Sequence, residues 1–195
     1  MVQARPAGSG RPPLDALRTR ASVADGARSR VALGLDLPER APGIERQRLR
    51  LLALYREVLG TAATPYPGIV ELLAELEQRG IRWGIATNKP RYLTELLLER
   101  LDITPAPGSV VCPDDGGEGK PPPASLLLTC RGLQCNPGQA IYVGDHRRDI
   151  EAGNRAHMHT IAAVYGYIEP GDDPYTWGAD RHVENSRELR DTILG

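Results

Sequence analysis

Followed along the chain, apolar and polar positions fall into two textures. From Leu14 to Gly60 the apolar residues recur at helical spacing, with no convincing strand between them. Within IERQRLRLLALYREVLG the spacing predicts one face carrying Leu49, Leu52, Tyr55 and Leu59, closed by Gly60, a residue suited to a helix C-cap. From Pro65 onward the texture alternates. YPGIVELLAELEQRG is predicted to be a helix entered through Pro67, with Ile69, Leu72, Leu73 and Leu76 on one face and a stop at Gly80. After it, IRWGIAT, SVVC, AIYV and TIAAV read as short strands, while LTELLLERL and PASLLLTCRGL read as helices. Such alternation predicts an α/β fold: a parallel sheet covered by helices on both faces. No internal repeat or long low-complexity run is present. The opening MVQARPAGSGRPP has no apolar period, so residues 1–13 read as a loose leader.

Composition narrows the setting. At 195 residues, 41% hydrophobic and 25% charged, the chain makes one globular domain, or a domain with a small subdomain. A net charge of −1 provides no broad basic surface for nucleic acid or for an anionic membrane. Cys112, Cys130 and Cys135 are odd in number and lack C-x-x-C spacing, which fits free thiols in a reducing cytosol better than disulfides or a zinc site. Nothing resembles a signal peptide or a membrane span, so a cytoplasmic protein is expected.

In a parallel α/β sheet, ligands sit outside the carboxyl ends of the strands. IRWGIATNKP delivers Thr87, Asn88 and Lys89 to that rim, and SVVCPDDGGEGKPPP leads through a glycine-rich loop to Lys120. AIYVGDHRRD delivers Asp145 and Asp149. Each has an ordinary structural reading: a threonine cap, a solvent-facing lysine, carboxylates at a helix N-terminus. Their combined chemistry is more specific. Thr87 and nearby N–H groups could hold phosphate oxygens, Lys120 could neutralise them, and the two carboxylates could hold Mg²⁺ through oxygen ligands.

In this order the stretches ATNKP, GKPPPASLL and YVGDHRRDIEAG resemble the second, third and fourth motifs of the haloacid dehalogenase superfamily, and more narrowly its phosphoglycolate phosphatase-like members. The tail VYGYIEPGDDPYTWGAD is similar both to those and to the N-acetylmuramic acid 6-phosphate phosphatase branch. The resemblance implies a Rossmann-like core over 65–195 and a partial α-helical cap over 14–64. It implies Mg²⁺-dependent hydrolysis of a small phosphorylated metabolite. Thr87 and Asn88 would then bind the phosphoryl group, and Lys120 would stabilise it together with the nucleophile. Asp145 would coordinate Mg²⁺, with Asp149 completing or supporting the metal site. In the cap, Gly26 and Arg28 could approach a substrate anion, although a surface role for Arg28 is the simpler reading.

One departure is large. The family's chemistry begins at Asp-x-Asp-Gly-Thr after the first strand, where one aspartate attacks phosphorus and the other is general acid and base. No Asp-x-Asp occurs in the chain. Asp114 and Asp115 follow a strand but lead into the third motif, and Asp25 lies in the helical cap pattern. The resemblance therefore implies a sheet without its first, central strand and a chain that is inactive as given. A noncatalytic, pseudophosphatase-like phosphate-binding protein is the alternative, and a receiver-like domain a more distant one. The remaining polar residues have plain readings. His146, Arg147 and Arg148 read as a solvated helix start, with either arginine able to reach an acidic substrate. Trp83 reads as core. His157 and His159 lack metal-ligand partners, and His157 stands where a helix-ending glycine is expected, at a cost of about 1 kcal/mol.

Overall fold

The computed structural model describes residues 26–116 and 119–195. The leader, Asp25 and the first part of the helical region lie outside the described residues. The described residues begin with two helices, α1 (Gly26–Leu35) and α2 (Ile44–Val58). They meet through Val31, Ala32 and Ile44, with Leu35, Ala41 and Leu51 packed around them. The buried stripe of α2 is thus set by Ile44 and Leu51. At about 100° per residue, Leu49 lies roughly 200° from Leu51, and it is 55% exposed, contrary to the predicted face. Tyr55 is half-buried and Leu59 is buried, as expected.

The remainder alternates: α3 (Ile69–Gln78), β1 (Gly84–Ala86), α4 (Arg91–Leu101), β2 (Ser109–Val111), α5 (Ala124–Leu133), β3 (Ile141–Gly144), α6 (Arg147–Arg155), β4 (His159–Ala163), β5 (Arg181–Val183) and α7 (Glu188–Leu194). Leu72, Leu73 and Leu76 on α3 are buried against Ile161, Val183 and Leu189, and Trp83 packs on the edge of this cluster. A second core joins Leu126 and Cys130 of α5 to Ala152, Ala156 and Met158. The strand predicted over IRWGIAT shortens to three residues, because its partner β2 offers only Ser109 to Val111. His157 closes α6 at φ +57°, in the left-handed conformation expected there.

All strand pairs among the described residues are parallel. β1 pairs with β2, and β3, β4 and β5 form a separate sheet in that order. Among the described residues no strand joins β1 to β3, so the described strands form two separate sheets. What crosses between them is a side chain: Lys120 Nζ donates to the Ala86 carbonyl at 3.1 Å and to the Tyr142 hydroxyl at 2.7 Å. The helical pair is tied to the rest through Arg100, which donates to the Leu59 carbonyl from α4, and through Lys89, which reaches Tyr55 on α2.

Candidate active site

Thr87 leaves the carboxyl end of β1. Its N–H donates to the Val111 carbonyl at 3.0 Å, and its Oγ1 accepts the Lys89 N–H at 3.1 Å. The hydroxyl proton remains to be donated outward. Asn88 spends its amide differently from the expectation that it touches substrate. Its Oδ1 accepts the Lys120 N–H at 2.9 Å and its Nδ2 donates to the Lys120 carbonyl at 3.3 Å. Asn88 is therefore a clamp on the backbone of Lys120.

The Lys120 ammonium lies 2.6 Å from Asp149 Oδ1, both side chains being only 10% exposed. The Tyr142 hydroxyl completes the group, 3.5 Å from Asp149 Oδ1. Burial, reinforced by the charges of Asp149 and Asp145, pushes the Tyr142 phenol well above its ordinary range, so it stays protonated. Asp149 sits in the first turn of α6. It fits because position 144 is glycine: a Cβ there would lie 2.3 Å from the Asp149 Cβ.

Asp145 follows β3 directly and is half-buried. Its Oδ2 accepts the Tyr167 N–H at 3.0 Å. Here too a glycine makes the space, since a Cβ on Gly166 would stand 2.2 Å from the Asp145 Cβ. Neither aspartate is the helix cap. That role falls to His146, whose Nδ1 accepts the Arg148 N–H at 3.1 Å. The helix start is less solvated than expected: Arg147 bonds Asp172 at 2.8 Å and Thr176 at 3.0 Å, and His146 stacks on Trp177. Asp172, Trp177, Tyr142, Gly166 and Tyr167 were not singled out from the sequence. For all but Tyr142, which lies within the strand AIYV, the one signal is the cluster of aromatic and acidic residues in the tail.

The other candidates fall away from this rim. Asp114 accepts the Arg91 N–H at 2.7 Å, and Asp115 accepts the Cys112 N–H at 2.7 Å and pairs with the Arg91 guanidinium. The pairing with Arg91, then the Cys112 N–H, holds the Asp115 carboxyl below its usual range. Both aspartates fasten the loop after β2 to the start of α4. Arg28 pairs with Glu45 at 2.6 Å, each about half-exposed. His157 and His159 are exposed, and no group of three or more metal-ligating side chains forms among the described residues.

Mg²⁺ needs only one or two carboxylates when phosphate oxygens and water supply the rest of its octahedron. Asp145 fits: it is a hard oxygen donor at a strand end, engaged by one backbone N–H. Asp149 is already paired with Lys120 at 2.6 Å, which leaves Asp145 the more available of the two carboxylates.

Asp172 makes a pH prediction. Burial opposes its ionisation, but hydrogen bonds from Trp177 and Arg147 outweigh this and hold its carboxyl below the ordinary 3.8. A depressed folded pKa stabilises above the unfolded value and is lost as pH falls through the folded one. Asp172→Asn should therefore cost about 1–2 kcal/mol at pH 6, and the difference from wild type should shrink toward pH 3. Urea midpoints at the two pH values measure this, and a pH-independent difference would contradict it.

Comparison with known proteins decides the family. The model of the haloacid dehalogenase-like hydrolases matches residues 40–163, the span that carries Thr87, Lys120, Asp145 and Asp149. This chain belongs to the haloacid dehalogenase-like hydrolase family. Among its relatives is the N-acetylmuramic acid 6-phosphate phosphatase of Pseudomonas aeruginosa, 42% identical over 99% of this chain and 85% of that protein. A phosphoglycolate phosphatase of Xanthomonas campestris is 40% identical over 71% of this chain and 62% of its own length. Among solved structures, CbbY from Rhodobacter sphaeroides in complex with phosphate is 25% identical with a TM-score of 0.70, covering 90% of this chain and 80% of that one. A predicted phosphoglycolate phosphatase from Haemophilus somnus, 20% identical, shares the fold with a TM-score of 0.82 over 93% of this chain and 83% of that one. Its relatives thus make this member a phosphatase-type hydrolase by family. Among the described residues no helix is long and apolar enough to cross a membrane.

Proposed function

We propose that this chain carries the phosphoryl- and Mg²⁺-binding part of a cytoplasmic phosphomonoester hydrolase that acts on a small metabolite bearing a carboxylate. The observation that carries the reading is the Lys120, Asp149 and Tyr142 group, which lies between the strand ends that present Thr87 and Asp145. Thr87 donates its hydroxyl proton to a phosphoryl oxygen. Lys120, oriented by Asn88 and held by Asp149, neutralises the phosphoryl charge in a site where solvent screening is weak. Asp145 would hold Mg²⁺, which when bound would add further charge neutralisation at the phosphoryl group. The carboxylate is inferred from the names of the relatives, since N-acetylmuramic acid 6-phosphate and phosphoglycolate share that group beside the phosphate.

In-line attack on phosphorus requires a nucleophile, and the family's Asp-x-Asp is absent from these residues. That single observation favours the second reading, a noncatalytic phosphate-binding protein. Both are tested together. Calorimetry with Mg²⁺ present is expected to show binding of 2-phosphoglycolate or N-acetylmuramic acid 6-phosphate in preference to glucose 6-phosphate, while phosphate release stays at background. An otherwise identical chain preceded by a strand ending in Asp-x-Asp-Gly-Thr is expected to turn over. Binding without turnover in that version would select the noncatalytic reading. A chain that binds none of the three compounds would defeat both.

A further inference from the structure

Lys89 differs from the ion-paired cations of this chain. Lys120 is paired with Asp149, Arg91 with Asp115 and Glu95, Arg48 with Glu45, and Arg147 with Asp172. The Lys89 ammonium has no carboxylate within ion-pair distance among the described residues. Its partner is the neutral hydroxyl of Tyr55 on α2 at 3.2 Å, with the ammonium 5.0 Å from that ring's centroid. A half-buried ammonium facing only a phenol is poorly compensated, and an anion brought to it recovers the cost of its partial desolvation.

The residue is also held in place. Its N–H is fixed by Thr87 Oγ1 at 3.1 Å, and its carbonyl accepts the Thr94 hydroxyl at 3.3 Å where α4 begins. The backbone of Lys89 is thus anchored and its ammonium is held by Tyr55, which lowers the ordering cost of binding. Two residues of extended chain span at most about 7 Å, so Thr87 and Lys89 lie within reach of the two ends of one small molecule. Tyr55 comes from the helical pair and Thr87 from the sheet, so the ammonium sits where the two parts meet.

We propose that Lys89, positioned by Tyr55, is the group that recognises the substrate's carboxylate, and so sets the choice of acidic phosphomonoesters over neutral ones. The proposal rests on the phosphomonoester reading and adds the residue that reads the second charge. It is tested by calorimetry on the full chain with 2-phosphoglycolate, ethyl phosphate and inorganic phosphate. Lys89→Gln should weaken 2-phosphoglycolate by about tenfold or more, the loss of one charge-assisted contact, and leave the other two ligands unchanged. Tyr55→Phe should give a smaller loss with the same selectivity, and Lys89→Arg should keep the preference. Equal weakening of all three ligands by Lys89→Gln, in a variant with a wild-type melt, would place Lys89 in the phosphate site and overturn the assignment, as would unchanged 2-phosphoglycolate binding. If wild type binds 2-phosphoglycolate and ethyl phosphate equally, carboxylate recognition fails while the phosphomonoester reading survives. If it binds none of the three, that reading fails first.

Discussion

Lys120→Met is expected to lower the unfolding free energy by about 3–5 kcal/mol, the range for breaking one side of a buried ion pair. The expectation follows from the burial of both partners, each 10% exposed, and from their 2.6 Å separation. Without the ammonium, the Asp149 carboxylate keeps only the distant Tyr142 hydroxyl, 3.5 Å away, among these side-chain partners. The Ala86 carbonyl and the Tyr142 hydroxyl lose their shared donor at the same time, and with it a link between β1 and β3. Such a loss is comparable to a good part of a typical total stability of about 5–15 kcal/mol. The double variant Lys120→Met with Asp149→Leu should recover much of it, because no unpaired charge is then left inside. A urea-denaturation double-mutant cycle separates the two contributions. If Lys120→Met unfolded within about 1 kcal/mol of wild type, the pair would be as weak as a solvent-screened surface bridge.

Gly166→Ala is expected to weaken divalent-ion binding by about tenfold or more. The added Cβ would fall 2.2 Å from the Asp145 Cβ and 2.5 Å from its Oδ2. Because the Asp145 Cβ is tied directly to the backbone at the end of β3, a rotamer change cannot clear the clash. The carboxylate or the loop must move, and the Tyr167 N–H loses its acceptor. Overpacking of this kind costs about 1–3 kcal/mol in stability, but the decisive readout is the ion. In a Mn²⁺ titration followed by electron paramagnetic resonance, Gly166→Ala and Asp145→Asn should both weaken binding by about tenfold or more, the effect expected when a ligand or its support is lost. Asp149→Asn should weaken it less, since that carboxylate is engaged by Lys120. Wild-type Mn²⁺ affinity in Gly166→Ala, with the fold intact, would remove Asp145 from the metal site.

How much of this could be read beforehand depended on how local the determining interactions are. The alternation of α3 through β4, the buried face of Leu72, Leu73 and Leu76, and the left-handed His157 are set by neighbours a few residues apart, and they were legible. The strand-end positions of Thr87 and Asp145 are equally local, because a polar residue closing a short apolar run stands at a strand end whatever the strand pairs with. The stripe of α2 was misjudged at Leu49, since its seam depends on Ile44 meeting Val31 and Ala32 on another helix.

The sequence alone thus determined the α/β class, the order of elements and the residue types brought to the rim. Only the tertiary structure decided their partners. Asn88 reaches Lys120 across 32 residues, Tyr167 reaches Asp145 across 22, and Arg147 finds Asp172 across 25. No periodicity marks such pairs. They are selected by the packing that brings strand ends and loops together, and by the cost of leaving a charge or a backbone N–H buried without a partner.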